Sequence, residues 1–134
     1  MSLYNHEGYK DPTAHEAIKN IEAEKKIVFI CSPFKDDIEI NTARAKRYGR
    51  YAITKEVVPM IPHLMYPRFL NEDNSDERAI GLEMGLVLLE KCHELWVFGS
   101  RISKGMEIEI EKAKEMKIPI RYHDIHCKPL GGKY

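Results

Sequence analysis

The sequence has 134 residues, and its 21 Lys and Arg balance its 21 Asp and Glu, so the formal net charge is zero. A chain of this length forms one domain and can bury a core. The balanced charge disfavours a nucleic-acid polymer as partner, and no apolar run approaches the roughly 20 residues that span a membrane. Residues 1–10 contain no signal-peptide core, and Cys31, Cys92 and Cys127 form no C-x-x-C pair. We therefore expect a cytoplasmic protein with reduced thiols.

Residues 1–25 are expected to form a loose arm and a surface helix, with a helix start at Asp11, Pro12 and Thr13. From residue 26 onward, short apolar runs rich in β-branched side chains alternate with segments of helical spacing. Such runs are typical of strands buried on both faces of a parallel sheet. The strands are predicted over 26–31, 57–61, 94–98 and 119–122, and the helices over 38–55, 74–92 and 103–117.

This alternation of strands and helices predicts an α/β protein of flavodoxin-like or Rossmann-like architecture. We expect three layers, α/β/α, around a short parallel sheet of four to five strands. The main domain is predicted over 26–123, followed by an irregular tail over 124–134. Ligands of such sheets bind beyond the carboxyl ends of the strands. The loops over 31–37, 62–73 and 99–105 are therefore the predicted binding loops.

Glu109 is the most informative residue of the helix predicted over 103–117. Met106, Ile110 and Ala113 recur at helical spacing and define the inward face, and Glu109 falls inside that apolar arc. A buried carboxylate requires compensation for its lost hydration. Two interpretations remain open: a structural salt bridge to an arginine, and a desolvated catalytic carboxylate near the cleft.

Other polar residues fall at positions expected to face the cleft. Ser103 is a candidate N-cap, and Gly105 would let the helix backbone approach a ligand, at a helix end that attracts anions. Asn41 lies on the inward face of the 38–55 helix, as a ligand contact or as a buried amide bonded to backbone. His63 stands where the second strand should end, at the cleft or at the surface.

The 74–92 helix is apolar on almost every side, which is typical of a helix buried on almost every side. A small domain offers few such places, so we expect this helix to form the interface of a homo-oligomer. The alternative is a helix central to its own layer. Arg78 aligns with Gly81 and Gly85, from where it would reach an anion or Glu109.

The C-terminal segment contains several residue types that bind zinc, but their spacing matches no standard zinc site. These residues are His123, Asp124, His126 and Cys127. We therefore expect no metal and no cofactor.

Three motifs in this order resemble the nucleoside 2-deoxyribosyltransferase superfamily, which includes deoxynucleoside monophosphate N-glycosidases. They are Cys31-Ser32-Pro33-Phe34 after the first strand, Phe98-Gly99 at the end of the third, and Ser103-x-Gly105-x-x-x-Glu109-x-x-x-Ala113. The stretch over 27–121 also resembles a group of small uncharacterised bacterial and phage proteins close to that superfamily. Pro62-His63-Leu64, Glu77-Arg78, Gly81-Leu82-Glu83-Met84-Gly85 and the segment over 94–99 carry this second resemblance.

The resemblance implies a nucleoside or nucleotide ligand and a homo-oligomer whose sites borrow residues from a neighbouring subunit. It implies that Glu109 attacks the anomeric carbon, that Ser103 and Gly105 hold a 5′-phosphate or sugar end, and that residues 32–34 line the pocket beneath the base. A carboxylate stabilises the positive charge that builds on the sugar and can form a covalent glycosyl-enzyme.

The loop after the third strand departs from the transferase pattern, because it reads Gly99-Ser100-Arg101-Ile102-Ser103 and contains no Asp. Protonation of the leaving base would then fall to Asp36, Asp37, His63 or a residue of another subunit. The sequence leaves open an N-glycosidase or deoxyribosyltransferase, a non-catalytic nucleotide-binding module, and a purely structural oligomer.

Overall fold

The computed structural model describes residues 25–131. The predicted arm and surface helix before Lys25, and the last residues of the predicted tail, lie outside the described residues. Within them, no helix is long and apolar enough to cross a membrane.

The described chain contains four strands and three α-helices. The strands are β1 (Ile27–Cys31), β2 (Val58–Met60), β3 (Glu94–Phe98) and β4 (Ile120–His123). The helices are α1 (Ile38–Thr54), α2 (Ser75–Leu89) and α3 (Lys104–Glu115). Two short 3-10 turns, Pro62–Leu64 and Tyr66–Arg68, lie between β2 and α2.

The strands form one parallel sheet in the order β2-β1-β3-β4. This order confirms the predicted three-layer α/β fold, with four strands in the sheet. From β1 the chain crosses to β2 on one side and later to β3 on the other, so β1 and β3 flank the point where the direction of winding reverses. Ligand crevices of open α/β sheets lie at that point, outside the carboxyl ends of the strands.

Alternate residues of the two central strands point to opposite faces of the sheet and build two cores. Val28 and Ile30 pack with Trp96, Phe98 and the buried side of α1. The alternate residues of the same strands, among them Phe29 and Cys31 of β1, face the other side of the sheet and pack against α2 and α3. The cluster on that side is formed by Phe29, Cys31, Leu89, Cys92, Leu95, Val97, Met106, Ile110 and Ala113. Cys31 and Glu109 are therefore brought to the same face of the sheet.

Helix starts are fixed by side-chain caps. Asn74 Oδ1 accepts hydrogen bonds from the backbone N–H groups of Asp76 and Glu77, at 2.9 and 3.1 Å. The spacing of Asn74 and Glu77 suits a capping box, but Glu77 Oε1 accepts from Asn71 N at 3.0 Å instead. The loop before α2 is closed by this second bond.

Apolar side chains are exposed on two of the helices. Ile38, which falls three residues before Asn41 and so on the predicted inward face of the 38–55 helix, is 47% exposed because it occupies the first position of α1, beyond the packed part of the helix. In helix α2 only Gly85 and Leu89 are buried, whereas Ile80, Met84 and Val87 are 44%, 37% and 45% exposed. Residues 25–131 thus leave an apolar side of α2 uncovered.

Candidate active site

A cleft of about 990 Å³ lies beyond the carboxyl ends of β1 and β3. Its walls come from the loop after β1, the start of α1, the 3-10 turns, α2, the loop after β3 and the first half of α3. The predicted site residues that line it are Pro33, Phe34, Asn41, His63, Arg78, Gly99, Ser103, Gly105 and Glu109. The volume is that of a pocket for a ligand the size of a nucleotide.

Glu109 lies on α3, on the side that faces the sheet, and its residue is 5% exposed. Burial raises the pKa of its carboxyl to about 7, although a hydrogen bond from the Cys31 thiol acts in the opposite direction. No cation of residues 25–131 pairs with Glu109, so the structural salt bridge considered above is not formed there. Glu109 is a desolvated carboxylate at the edge of a cleft.

The beginning of α3 carries a cap and an open backbone surface. Ser103 Oγ accepts a hydrogen bond from Met106 N at 3.2 Å, which makes Ser103 the N-cap, as its position suggested. A Cβ atom added to Gly105 would meet nothing within 4 Å. The helix backbone is therefore accessible from the cleft, and its first N–H groups have no acceptor within the helix.

The loop after β1 is held by buried polar contacts. Asn41 Nδ2 donates to the carbonyl oxygens of Phe34 and Lys35, at 3.0 and 3.2 Å. The structure thus agrees with the interpretation of Asn41 as a buried amide that is bonded to backbone. Asn41 also lies at the wall of the cleft. Ser32 is 1% exposed, and its Oγ has no hydrogen-bond partner among the described residues.

His63 lies beside this loop, where its ring stacks on Phe34 with centroids 4.9 Å apart. Its Nε2 is 3.0 Å from the Ser32 carbonyl oxygen, which only accepts, so the proton of the neutral ring resides on Nε2. Burial lowers the pKa of His63 to about 4. His63 is therefore neutral at pH 7 in the free protein. In that state it is not an acid that could protonate a leaving base.

The carboxylates of the loop after β1 are also engaged. Asp36 forms an exposed ion pair with Arg101 at 3.4 Å, across the opening between the loops after β1 and β3. Asp37 caps α1 by accepting from Ile40 N at 3.4 Å. Neither carboxylate is buried, and Asp37 has a structural use.

Arg78 lines the cleft but does not pair with Glu109. Its Nη1 donates to the Glu72 carbonyl oxygen at 3.1 Å. Of the two contacts expected for Arg78, the one with Glu109 is not formed, and the one with an anion stays a prediction. Gly99, in turn, has a φ of +93°, a left-handed backbone conformation that glycine adopts without strain, and it ends β3 beside the cleft.

Some functional features were not evident in the sequence. Cys31 was identified as a reduced thiol and as part of the first motif, but not as a neighbour of Glu109, whose charge adds to burial in raising the pKa of the thiol; the signal for it was its position as the last residue of a buried strand. Arg44 on α1 adds a positive charge to the lining of the cleft, and Arg101 lines it as the partner of Asp36. His123, which was grouped with the residues of the C-terminal segment that can bind zinc, ends β4 and stacks on Phe98. Among residues 25–131, no three His, Cys, Asp or Glu side chains are grouped as metal ligands.

The fold and the crevice define a flavodoxin-like α/β protein with a buried carboxylate at its ligand-binding edge. Residues 26–123 match the family described as Domain of unknown function (DUF7768), and the chain belongs to that family. No curated protein sequence matches the chain.

Among solved structures, the fold is similar to that of a 2-deoxyribosyltransferase from the psychrotolerant bacterium Bacillus psychrosaccharolyticus. The TM-score is 0.60 and the sequence identity is 11%, with 73% of this chain and 72% of that chain covered. That enzyme is described as a biocatalyst for the synthesis of nucleosides. At this identity the similarity establishes a distant relationship of fold.

Proposed function

We propose that this protein cleaves the N-glycosidic bond of a nucleoside or nucleoside monophosphate, with Glu109 as nucleophile. The observation that carries the proposal is the buried Glu109 carboxylate at the wall of a 990 Å³ cleft, without a cationic partner among the described residues. A structural carboxylate at this depth would be paired, because an unpaired one destabilises the fold. The fold shared with a 2-deoxyribosyltransferase supports the same chemistry.

In this mechanism a Glu109 oxygen attacks the anomeric carbon, and a C–O bond forms as the C–N bond to the base breaks. The electron pair of the C–N bond goes to the base nitrogen, which takes a proton from water or from a residue of another subunit. Water, or a nitrogen of a second base, then attacks the anomeric carbon and loses a proton to solvent, while the electron pair of the breaking C–O bond returns to the Glu109 carboxylate. Phe34 and neutral His63 would pack against the base, while Ser103, Gly105 and Arg78 would bind the sugar end or its phosphate.

The test is release of free base from purified protein incubated with each deoxynucleoside and each deoxynucleoside monophosphate. We expect release with at least one of them, and loss of release in Glu109→Gln. Addition of a second base distinguishes a hydrolase from a transferase, because only a transferase forms the exchanged nucleoside. If no substrate releases base at a rate above that of Glu109→Gln, the catalytic proposal is wrong.

A non-catalytic nucleotide-binding module is the second candidate, and the state of the proton donors favours it. His63 is neutral with its N–H bonded to Ser32, Asp37 caps a helix, and Asp36 pairs with Arg101. This candidate predicts that nucleotides raise the melting temperature without any base release. A protein that no nucleoside or nucleotide stabilises would instead be a structural oligomer.

We also propose that α2 pairs with a second copy of the chain. The exposed Ile80, Met84 and Val87 support this, because they place adjoining apolar side chains on the surface of one copy. Light scattering should give at least twice the mass of one chain, and Val87→Asp should lower it. Glu83→Asp on the same helix is the matched control. A single-chain mass for the unaltered protein at working concentration would refute the interface.

We further propose that residues 26–123 form the domain and that the protein acts in the cytoplasm.

A further inference from the structure

Helix α1 places three polar side chains on the wall of the cleft. Asn41, Arg44 and Tyr48 recur at helical spacing, so they share one face of α1, and all three line the cleft. Arg44 and Tyr48 are four positions apart, which makes them neighbours on that face. Neither Arg44 nor Tyr48 has a role in the mechanism proposed above, although both lie in the same cleft as Glu109.

The Tyr48 hydroxyl has no hydrogen-bond partner in the part of the chain that the structure describes. Tyr48 is 1% exposed, and its ring stacks on Phe98 with the centroids 4.2 Å apart and the planes inclined by 12°. Burial raises the pKa of Tyr48, although the charges of Arg44 and Arg47 act in the opposite direction, so the hydroxyl keeps its proton at pH 7. A hydroxyl that has lost its hydration in this way favours an acceptor on a ligand in the cleft.

Arg44 is a half-buried cation without an acceptor among residues 25–131, where it forms neither an ion pair nor a hydrogen bond. The two carboxylates nearest to it in sequence have other partners. Asp36 pairs with Arg101, and Asp37 caps α1. A guanidinium that gives up part of its hydration without gaining an acceptor lowers stability, so Arg44 favours an anionic group in the cleft.

The segment after β4 closes this side of the cleft. Arg47 Nη2 donates to the Ile125 carbonyl oxygen at 3.3 Å, and Ile125 lines the cleft. Ile125 Cγ2 lies 3.6 Å from the position that a Cβ atom would take on Gly99. The apolar Ile125 side chain therefore packs over the end of β3, on the α1 side. Such a wall reduces the screening by water and strengthens the attraction between a cation and an anion.

We propose that Arg44 and Tyr48 form a subsite for a phosphate group on the α1 side of the cleft. The guanidinium supplies charge and paired N–H donors, and the hydroxyl supplies a further donor, which together match the oxygens of a phosphate. The proposal rests on the proposed function and deepens it, because a cleft with this subsite favours a nucleoside monophosphate over a nucleoside. The start of α3 then binds the sugar end. Free inorganic phosphate is the other source of the same chemistry.

The test is isothermal titration calorimetry in the Glu109→Gln background, where no substrate is consumed. The probes are each deoxynucleoside, its 5′-monophosphate and inorganic phosphate. The monophosphate should bind about ten- to hundredfold more tightly than the nucleoside, which is the range for hydrogen bonds to a charged group. Arg44→Gln should remove most of this difference and leave the Kd of the nucleoside unchanged. Tyr48→Phe keeps the ring on Phe98 and should reduce the difference about three- to tenfold.

Arg50→Gln is the matched control. Arg50 lies on the same helix, is exposed and does not line the cleft. The variant removes the same charge from α1, so it should leave the dissociation constants unchanged. Arg44→Lys, which keeps the charge without the paired donors, should restore part of the preference for the monophosphate. Thermal unfolding separates binding from structure, because loss of a cation without a partner should not lower the melting temperature of Arg44→Gln.

The outcomes distinguish the two sources of phosphate. A preference for the monophosphate that depends on Arg44 supports the subsite with a nucleotide as its ligand. Binding of inorganic phosphate that depends on Arg44, with nucleoside and monophosphate bound equally, supports the subsite with free phosphate as its ligand. A preference that Arg44→Gln leaves intact would overturn the proposal, and so would an equal effect of Arg50→Gln or the absence of any phosphate-dependent binding.

Failure of the subsite and failure of the proposed function are distinguishable, because calorimetry measures binding and the base-release assay measures cleavage. If phosphate binding depends on Arg44 but the unaltered protein releases no base, the proposed function fails and the subsite stands. If base is released and no phosphate binding depends on Arg44, the subsite fails alone.

Discussion

Glu94 and Glu109 are two buried carboxylates, 4% and 5% exposed, at opposite ends of the same sheet, and their environments differ completely. Glu94, at the amino end of β3, accepts hydrogen bonds from Lys26, Trp96 and Arg121 at 2.8 to 2.9 Å. Burial acts to raise the pKa of Glu94, but these donors and the Arg121 charge outweigh it and lower the pKa. At the carboxyl ends, no cation of residues 25–131 pairs with Glu109, and burial raises its pKa to about 7.

Burial alone therefore does not distinguish a structural carboxylate from a candidate nucleophile. Glu94 is compensated by three donors, so it stabilises the junction of β1, β3 and β4. Glu109 is undercompensated in the free protein, which reduces stability and leaves the carboxylate available to an electrophile in the cleft. Strain of this kind is concentrated at functional sites.

The largest expected contrast is in activity. Glu109→Gln should lower kcat/KM for base release by about a thousand-fold or more, because an amide is no nucleophile. Glu94→Gln should leave kcat/KM within a few-fold once the folded fraction is measured, because Glu94 does not line the cleft. Comparable losses in the two variants would erase the proposed division between them.

The two variants should change stability in opposite directions. Above pH 7, Glu109→Gln should raise the free energy of unfolding by up to about 3 kcal/mol, because it removes an ionised buried group. The gain should vanish below pH 4.5, where Glu109 is protonated in both the folded and unfolded states. Glu94→Gln should lower stability by about 1–3 kcal/mol at pH 7, and by less as pH falls and Glu94 protonates. Urea unfolding at pH 4, 6 and 8 measures both.

The pH profile of activity sharpens the contrast further. In the proposed mechanism Glu109 attacks as a carboxylate, so kcat/KM should rise about tenfold per pH unit up to a pKa of about 7 and then level off. Glu94→Gln should keep this profile. An acid limb near the ordinary Glu value of 4.5 would contradict the raised pKa of Glu109.

The effect of His63 on the pH dependence of stability should be larger in the Glu109→Gln variant than in the unaltered protein. The folded pKa of His63, about 4, lies below its ordinary 6.5, so His63 makes stability rise with pH between these values. Glu109 opposes this between about 4.5 and 7, so the unaltered protein should have a flatter dependence. Buried His123, whose pKa is also lowered by burial, acts in the same direction as His63. Comparing Glu109→Gln with and without His63→Phe isolates the contribution of His63 to the free energy of unfolding. If the two variants show the same slope of this free energy against pH, His63 is not held neutral.

The smallest effect is expected at Gly105. An added Cβ meets no atom within 4 Å, so Gly105→Ala should stabilise α3 by about 0.5–1 kcal/mol. If a ligand approaches the backbone there, KM should rise at the same time, whereas kcat should change little. Thermal unfolding and saturation kinetics measure the pair, and an unchanged KM would remove Gly105 from the binding surface.

Much of the fold could be predicted because local patterns and tertiary structure agree. The continuous apolar runs that form β1 and β3 are buried on both faces, which is the arrangement of a central parallel strand. Glu109 could be placed on the buried face of α3 because Met106 and Ala113 fix that face through the helical repeat. The apolar side of α2 could also be predicted from the sequence. The spacing of residues along one helix does not specify which surface packs against that side.

The order of elements, the inward face of α3 and the loops that carry the cleft follow from spacing along one chain, so they could be predicted. Which carboxylate is compensated depends instead on the packing of distant segments. Lys26 and Arg121, 68 and 27 positions away, converge on Glu94, whereas no cation of residues 25–131 reaches Glu109. Both glutamates are buried, so their opposite pKa shifts depend on distant partners that no local pattern specifies.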